Sequence, residues 1–144
     1  MKVYLSGEIH SNWRDAIEDG CKQKGLNIQF LKPETVHQLS DDAGDVLGTE
    51  DNAFWKDHKS AKINSIRISN GIRNADVLVV KFGEKYRQWN AAFDAGYCAA
   101  LGIPYIAVHP EEFNHALKEV DAGAKATAVN EDQVVEILSY LNRP

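Results

Sequence analysis

The sequence predicts an α/β domain, and three observations support that fold class. Residues 76–80 and 104–108 are apolar runs rich in β-branched side chains, which is typical of central strands in a parallel sheet. Segments with helical spacing lie between the strand-like runs. Alternation of this kind places helices on both faces of one mostly parallel sheet. We therefore expect a flavodoxin-like or Rossmann-like three-layer sandwich with five strands in the order 2-1-3-4-5.

The first half of the chain predicts a strand–helix–strand opening followed by a long irregular segment. The expected elements are a strand over 2–6, a helix over 12–24 with Ser11 as its N-cap, and a strand over 26–30. Residues 32–52 are rich in Asp, Ser, Thr and Gly and predict a loop or lid with one short helical turn. A helix over 53–73 follows this segment.

The second half continues the alternation after the strand over 76–80. The expected elements are helices over 89–101, 111–118 and 131–141, with strands over 104–108 and 125–129. No internal repeat or linker interrupts the pattern, so residues 1–144 are expected to form a single domain.

Charge and cysteine usage exclude some classes of partner. The formal net charge is -5, whereas a general nucleic-acid binder needs a basic stripe. A nucleic-acid polymer is therefore not expected, but this charge does not exclude a small nucleoside or nucleotide as ligand. Cys21 and Cys98 lack partner motifs, which is typical of free thiols in a reducing compartment. Because Met1 leads directly into a strand-like run and no long apolar segment occurs, we expect a cytoplasmic protein without membrane association.

The helix over 89–101 holds the first candidate catalytic residue. From Ala91 to Ile103 the side chains are apolar or small except for Asp94 and the Tyr97 hydroxyl, so this helix is expected to be buried on all sides. A carboxylate in such a helix is unfavourable unless it is paired, hydrogen-bonded or used in chemistry. Burial also raises the pKa of a carboxyl group, which favours a catalytic over a purely structural role for Asp94.

Residues after the first strand are expected to lie at the same edge of the sheet. In sheets of this type, ligands bind beyond the carboxyl ends of the strands, where the strand order switches. Ser6, Gly7, Glu8 and His10 follow the first strand at that edge, and the helix that carries Asp94 starts from it. Glu8 is the second candidate catalytic residue, although a carboxylate here can also cap a helix or pair with a surface cation.

Aromatic and amide side chains supply candidates for substrate binding. Trp55 and Trp89 can stack against a base or sugar, but either side chain can equally fill the core. Asn90 lies one helical turn before Asp94 and can hydrogen-bond that carboxylate or a ligand hydroxyl. Tyr97 lies on the same side of the helix and is a candidate to orient Asp94.

Standard cofactor motifs are absent from the sequence. It contains no GxGxxG or GxxxxGK[ST] nucleotide-binding signature, no GxSxG nucleophile elbow and no HxxxH pair. We therefore expect no metal and no organic cofactor, which suits chemistry carried out by carboxylates.

Three segments resemble the nucleoside 2-deoxyribosyltransferases. They are Val3–Gly7 (VYLSG), Ile72–Val80 (IRNADVLVV) and Ala92–Pro104 (AFDAGYCAALGIP). Two more, Gly7–Arg14 (GEIHSNWR) and His115–Ala122 (HALKEVDA), extend the resemblance to the YtoQ family, a branch of that superfamily.

The resemblance implies that Asp94 stands where the transferases carry a glutamate nucleophile, which captures the sugar covalently. It also implies active sites built across subunit interfaces, so a homodimer or larger homo-oligomer is expected. Gln88 replaces an aspartate of the transferase pattern, and Ala91 replaces a threonine. Because Asp94 is shorter than glutamate, the pocket must bring the sugar carbon closer to the carboxylate.

The expected function is cleavage or transfer at the N-glycosidic bond of a nucleoside or nucleotide. Asp94 would act as nucleophile or as stabiliser of an oxocarbenium-like state. Glu8, with a raised pKa, would be the acid/base that protonates the leaving base. The alternative is a non-catalytic nucleotide- or sugar-binding protein that keeps the fold without the reaction. The replacements at Gln88 and Ala91 favour this alternative.

Overall fold

A computed structural model describes residues 1–85 and 87–143, which contain one five-stranded sheet with helices on both faces. The strands are β1 (Lys2–Gly7), β2 (Gln29–Leu31), β3 (Val77–Lys81), β4 (Tyr105–Val108) and β5 (Ala126–Ala128). The α-helices are α1 (Trp13–Gln23), α2 (His37–Asp41), α3 (Ala53–Arg73), α4 (Trp89–Ala100), α5 (Lys118–Gly123) and α6 (Glu131–Leu141). One-turn 3-10 helices cover Asp45–Leu47 and Glu111–Phe113. Within the described ranges, no helix has both the length and the apolar character needed to cross a membrane.

The strand order is β2-β1-β3-β4-β5, and every neighbouring pair is parallel. This confirms the predicted fold class and order. The register aligns Ser6 with Val80 and Gly7 with Lys81. Since strand order switches between β1 and β3, the loops that follow these two strands leave on opposite faces of the sheet and form a crevice between them.

Two apolar clusters pack on opposite faces of the sheet. Alternate side chains of β1 divide between them, as the two-residue repeat of a strand requires. Val3 and Leu5 pack with residues of α1 and α6, whereas Tyr4 packs with residues of α3 and α4. Ser6 follows Tyr4 on the same face, so its hydroxyl is directed towards α4.

The predicted cap of the first helix is wrong. α1 begins at Trp13, its N-cap residue is Asn12, and no side-chain hydrogen bond caps it. The Ser11 hydroxyl donates to the Glu8 carboxylate instead. Hydrogen bonds to an ionised carboxylate are stronger than those between neutral groups, which explains this choice of partner.

The connecting segments are more ordered than predicted. α2 and a 3-10 turn occupy the segment expected to hold one helical turn. The Ser60 hydroxyl of α3 orders this segment, since it donates to the Asp41 carbonyl and accepts from the Gly44 amide. The helix expected over 111–118 is a 3-10 turn followed later by α5, and the second strand covers Gln29–Leu31 rather than 26–30.

The prediction that α4 is buried on all sides is wrong. Asp94 and Ala95 are buried against the sheet, but Trp89 and Phe93 are 72% and 73% exposed. A single layer of helices covers this face of the sheet, so a helix in that layer keeps an outward side. The outward side of α4 is therefore an exposed apolar surface.

Candidate active site

A cavity of about 540 Å³ opens at the switch point, and its volume suits a small organic ligand. Its wall is formed by the β1–α1 loop, the α2 segment and the start of α4. Seven of the predicted site residues line it, namely Ser6, Gly7, Glu8, His10, Trp89, Asn90 and Asp94. The structure thus brings these residues together, while their roles remain predictions.

Trp55 and Tyr97 lie outside the lining of this cavity. Trp55 is 52% exposed on the first turn of α3, where its ring packs edge-to-face on Phe54 with centroids 5.0 Å apart. The Tyr97 hydroxyl accepts a hydrogen bond of 2.8 Å from Arg73 Nε, although we expected it to orient Asp94. Arg73 comes from α3, and the spacing within α4 cannot reveal a partner on another helix.

Asp94 lies where α4 packs against the sheet, and it faces the cavity. Its side chain is only 8% exposed, and the Ser6 hydroxyl donates to its Oδ2 atom at 2.5 Å. Burial raises the pKa of Asp94 above its ordinary value, and the hydrogen bond from Ser6 acts in the opposite direction. A second cavity of about 410 Å³, between α3 and α4, also borders Asp94.

The Glu8 carboxylate is fixed by its own loop. Its oxygens accept hydrogen bonds from the His10 amide, at 2.6 Å, and from the Ser11 hydroxyl. Burial acts to raise the pKa of Glu8, but these two bonds and the nearby Arg14 and Lys81 lower it below its usual range. This direction is opposite to the raised pKa expected for a proton donor, because the bonds and cations favour the ionised form.

Arg14 is a positioning residue that the sequence analysis did not identify. Its side chain is buried, and the guanidinium donates to the carbonyls of Leu5, Gly7 and Glu8 at 3.2, 3.1 and 2.7 Å. Trp13 Nε1 donates to the Glu8 carbonyl as well, at 2.8 Å. These bonds satisfy the backbone of the β1–α1 loop and hold it in one conformation. An arginine in the first turn of an amphipathic helix predicts a solvated side chain. The GEIHSNWR resemblance includes Arg14 but gives it no role.

Gly7 allows β1 and β3 to approach each other at the cavity edge. It has a φ of 117°, and a Cβ atom at this position would lie 2.1 Å from the Lys81 carbonyl oxygen. The next amide, that of Glu8, donates to the same oxygen at 3.0 Å. A side chain at Gly7 would therefore displace the loop that carries Glu8.

Gln88 has a structural role in the loop before α4. Its Oε1 atom accepts from the Gly83 amide at 2.6 Å, and its Nε2 atom donates to the Lys85 carbonyl at 2.5 Å. The amide thus ties the β3–α4 loop together beside the cavity. This arrangement gives a physical reason for glutamine where the transferase pattern has aspartate, because an ionised aspartate cannot donate to a carbonyl.

The α2 segment forms the outer wall of the cavity, which the sequence predicted only as a loop or lid. It contributes lining residues that were not among the predicted site residues, namely Pro33, Glu34, His37, Ser40 and Asp41. The His37 ring stacks on the His10 ring in the wall of the cavity, with centroids 5.6 Å apart. In the sequence, only the length and polar composition of this segment indicated that it could line a binding site.

Within residues 1–85 and 87–143, no group of three or more His, Cys, Asp or Glu side chains is placed to hold a metal ion. The expected absence of a metal and of an organic cofactor stays a prediction.

The chemical groups on the cavity wall are the Asp94 carboxyl group, whose pKa is raised, and the ionised carboxylate of Glu8.

Comparison with known proteins relates this arrangement to a family. A family profile described as "Nucleoside 2-deoxyribosyltransferase YtoQ" matches residues 4–142. The chain belongs to this YtoQ family. The uncharacterised protein YtoQ of Bacillus subtilis (strain 168) is 44% identical over 140 residues, which cover 96% of this chain and 95% of that protein.

Solved structures share the fold of this YtoQ-family chain. A 2-deoxyribosyltransferase from Bacillus psychrosaccharolyticus has a TM-score of 0.59 and 17% identity, covering 94% of this chain and 90% of its own. A CMP N-glycosidase from Clostridium botulinum has a TM-score of 0.56 and 12% identity, covering 97% and 99%. These likenesses show the shared fold, and the family match supports nucleoside glycosyl transfer or cleavage as the general class of reaction.

Proposed function

We propose that the protein cleaves or transfers the N-glycosidic bond of a nucleoside or nucleotide in the 540 Å³ cavity. The observation that carries this proposal is Asp94, a carboxyl group only 8% exposed that faces the cavity and is hydrogen-bonded by Ser6. Membership of the YtoQ family supports the same general class of reaction.

In this proposal Asp94 is the nucleophile or the stabiliser of the oxocarbenium-like state. Breaking the C1′–N bond leaves positive charge on the sugar, which a nearby carboxylate stabilises by its charge or by covalent capture. Ser6 engages Oδ2 and thereby leaves Oδ1 as the oxygen for C1′. Because the carboxylate is desolvated, its attraction for the developing cation is stronger than it would be in water.

Glu8 acts in this proposal through its charge. Its lowered pKa means that it stays ionised at neutral pH, so it is a poor donor of a proton to the leaving base. A fixed carboxylate on the same cavity wall still stabilises positive charge at the sugar. We therefore propose Glu8 as an electrostatic partner of Asp94 and not as the general acid.

The remaining cavity residues bind the substrate in this proposal. Trp89 offers an exposed aromatic face for the base, while Asn90 and His10 offer polar groups for the sugar. Trp55 and Tyr97 lie outside the cavity wall, so the proposal gives them no role in substrate binding within one copy of the chain.

The proposed enzyme is a cytoplasmic homodimer or larger homo-oligomer. The free buried thiols of Cys21 and Cys98 suit a reducing compartment. The outward side of α4 exposes Trp89 and Phe93 next to the cavity, and a second copy of the chain would remove these rings from water.

A panel of nucleosides and 5′-nucleotides, in ribo and 2′-deoxyribo forms, tests this proposal. Release or exchange of the base is followed by chromatography with the full-length protein. We expect at least one compound to lose or exchange its base. A protein that is inert on the whole panel would refute the proposed reaction.

The second candidate function is nucleotide or sugar binding without reaction. Asp94 is shorter than the glutamate of the transferase pattern and Ala91 replaces its threonine, and both features weaken the case for catalysis. A thermal-shift screen with the same panel separates the two candidates. A compound that stabilises the protein but is never consumed supports binding, whereas turnover of that compound supports catalysis.

A further inference from the structure

The candidate active site carries an excess of negative charge. The 540 Å³ cavity and the 410 Å³ cavity adjoin each other at Asp41 and Asp94, and their combined lining is called the cleft. Five carboxylates line this cleft, namely Glu8, Glu34, Asp41, Asp57 and Asp94. Within the described ranges, Arg87 is the one lysine or arginine that lines it.

Two of the five carboxylates have cationic neighbours. Glu34 pairs with Arg67 at 3.1 Å, and the charge of Glu8 is offset by the nearby Arg14 and Lys81. These pairs account for the local balance of charge at the outer wall and at the β1–α1 loop.

The other three carboxylates form no ion pair among the described residues. None of the ion pairs in residues 1–85 and 87–143 includes Asp41, Asp57 or Asp94. Lys56, whose charge also interacts with Asp41, pairs with Asp42 at 3.0 Å. A ligand that brings positive charge into the cleft would therefore meet carboxylates that no ion pair of the described residues neutralises.

Neither of the two carboxyl groups proposed to act on the sugar, Glu8 and Asp94, is suited to protonate a leaving base. A neutral base departs readily only if a proton reaches it as the C1′–N bond breaks. Glu8 is held ionised, and Asp94 must itself be ionised to attack or stabilise the sugar. A base that already carries positive charge needs no proton, because the bonding electrons neutralise its ring nitrogen.

An aromatic face that binds cations is present beside the acidic groups. Trp89 is exposed at the cavity, and the Arg87 guanidinium lies 6.0 Å from its ring centroid. Aromatic faces attract guanidinium, pyridinium and other cations through the ring quadrupole. The Trp89 ring can therefore hold a cationic base in the same way that it already contacts Arg87.

We propose that the preferred substrate is an N-glycoside whose base is positively charged, such as an N7-alkylpurine or pyridinium nucleoside. This inference rests on the proposed function of the same cleft. The C1′–N bond breaks with its electron pair going to the base, which leaves neutral, and an oxygen of Asp94 bonds to or stabilises C1′. Water or an acceptor base then bonds to C1′, and the electron pair of any ester bond returns to Asp94. The proton of the attacking water, or of the N–H group of the acceptor base, passes to solvent.

The test compares 7-methylguanosine, whose base is cationic, with guanosine, whose base is neutral. Both are used in ribo and 2′-deoxyribo forms in mildly acidic buffer, and every rate is corrected for spontaneous base release. We expect a higher kcat/KM for the methylated compound. Equal or faster turnover of guanosine would overturn this inference while leaving the proposed function intact, and inertness towards both compounds and the wider panel would overturn both.

Charge variants show whether a preference for the cation comes from the cleft or from the lability of the methylated compound. Asp41→Asn should lower the kcat/KM ratio of cationic to neutral substrate about threefold, and Arg87→Gln should raise it by a similar factor. Asp19→Asn is the matched control, since Asp19 is exposed on α1 and does not line the cleft. A ratio that does not respond to either cleft variant would overturn the inference.

Discussion

Asp94 meets opposing requirements of stability and chemistry. Its carboxyl group lies against the sheet, where burial disfavours the charged form, and Ser6 provides its hydrogen bond among the described residues. The same desolvation strengthens the field that the carboxylate exerts on a sugar cation. Residues of this kind are expected to lower the stability of the fold while they support its reaction.

The pH dependence of stability should reveal this conflict. The pKa of Asp94 in the folded protein is raised above the 3.8 of an exposed aspartate, so the folded state binds its proton more tightly than the unfolded state does. The stability from this group is complete below the unfolded pKa and is lost as pH rises through the folded pKa. Asp94→Asn removes the titration and should stabilise the protein at neutral pH, by about 1.4 kcal/mol for each unit of pKa shift.

Thermal unfolding between mildly acidic and neutral pH measures this effect. The melting temperature of Asp94→Asn should exceed that of wild type by a margin that grows with pH. Asp19→Asn, at an exposed position on α1, should show no such trend. A margin that shrinks as pH rises would show that Asp94 is stabilised as a carboxylate, contrary to the burial argument.

The Ser6 hydroxyl should set the acid limb of the activity profile. Its hydrogen bond lowers the pKa of Asp94 against the effect of burial, so Ser6→Ala should raise that pKa further. The acid limb of kcat/KM should then move to higher pH, because the Asp94 carboxyl group loses its proton only at higher pH. Ser139→Ala, on α6 across the sheet, serves as the control. An acid limb that stays in place in Ser6→Ala would mean that another group titrates there.

The β1–α1 loop shows how a backbone position shapes the site. Gly7 joins β1 to Glu8 at a point where β3 leaves no space for a side chain. Gly7→Ala should lower the free energy of unfolding by about 2–4 kcal/mol, since it combines a strained φ with a clash against the backbone. Chemical denaturation measures the loss, and a change below about 1 kcal/mol would contradict the argument.

Gly25→Ala is the matched control for that measurement. Gly25 also has a positive φ, of 68°, but no atom lies within 4 Å of a Cβ placed there. The Gly25→Ala variant should lose only the part of the unfolding free energy that comes from the strained φ, about 1–2 kcal/mol. The difference between the two variants isolates the close approach of β1 and β3.

Periodicity predicted the elements that depend on local sequence. The apolar strands β3 and β4, the long helix α3 and the terminal helix α6 follow from spacing and composition alone. The order 2-1-3-4-5 is the simplest one for this alternation, right-handed crossovers put helices on both faces, and the order places Ser6, Glu8 and Asp94 at one edge. The fold and the location of the candidate site were therefore predictable.

Contacts between distant elements were not predictable from spacing. The Ser11 hydroxyl donates a hydrogen bond to Glu8 and does not cap α1, and the Tyr97 hydroxyl accepts a hydrogen bond from Arg73 on α3. The buried Arg14 depends on three carbonyls that only the folded loop brings together. Such partners are fixed by tertiary structure, so sequence patterns can suggest the residues but not their bonds.

The molecule as a whole presents its candidate site beside an exposed apolar surface. The rings of Trp89 and Phe93 stand out from α4, and Ile66 of α3 is 62% exposed on the same side of the sheet. Exposed apolar side chains on one face favour association between protein surfaces. The proposed homo-oligomer would cover them and could enclose the open cavity.

Light scattering on the purified protein tests this assembly. We expect wild type to be a dimer or larger, and Phe93→Glu to be monomeric because a charge at an interface is costly to desolvate. Tyr140→Glu is the control, since Tyr140 is 69% exposed on α6 at the opposite face. A clean monomer for wild type would rule out the proposed assembly.

The most direct test of the account is base release by wild type and Asp94→Asn on one nucleoside taken from the substrate panel. The account predicts that Asp94→Asn folds and binds the nucleoside but releases base about a thousandfold more slowly. Asp19→Asn should retain the wild-type rate. If Asp94→Asn stays fully active, Asp94 does not take part in breaking the N-glycosidic bond, and the central claim is wrong.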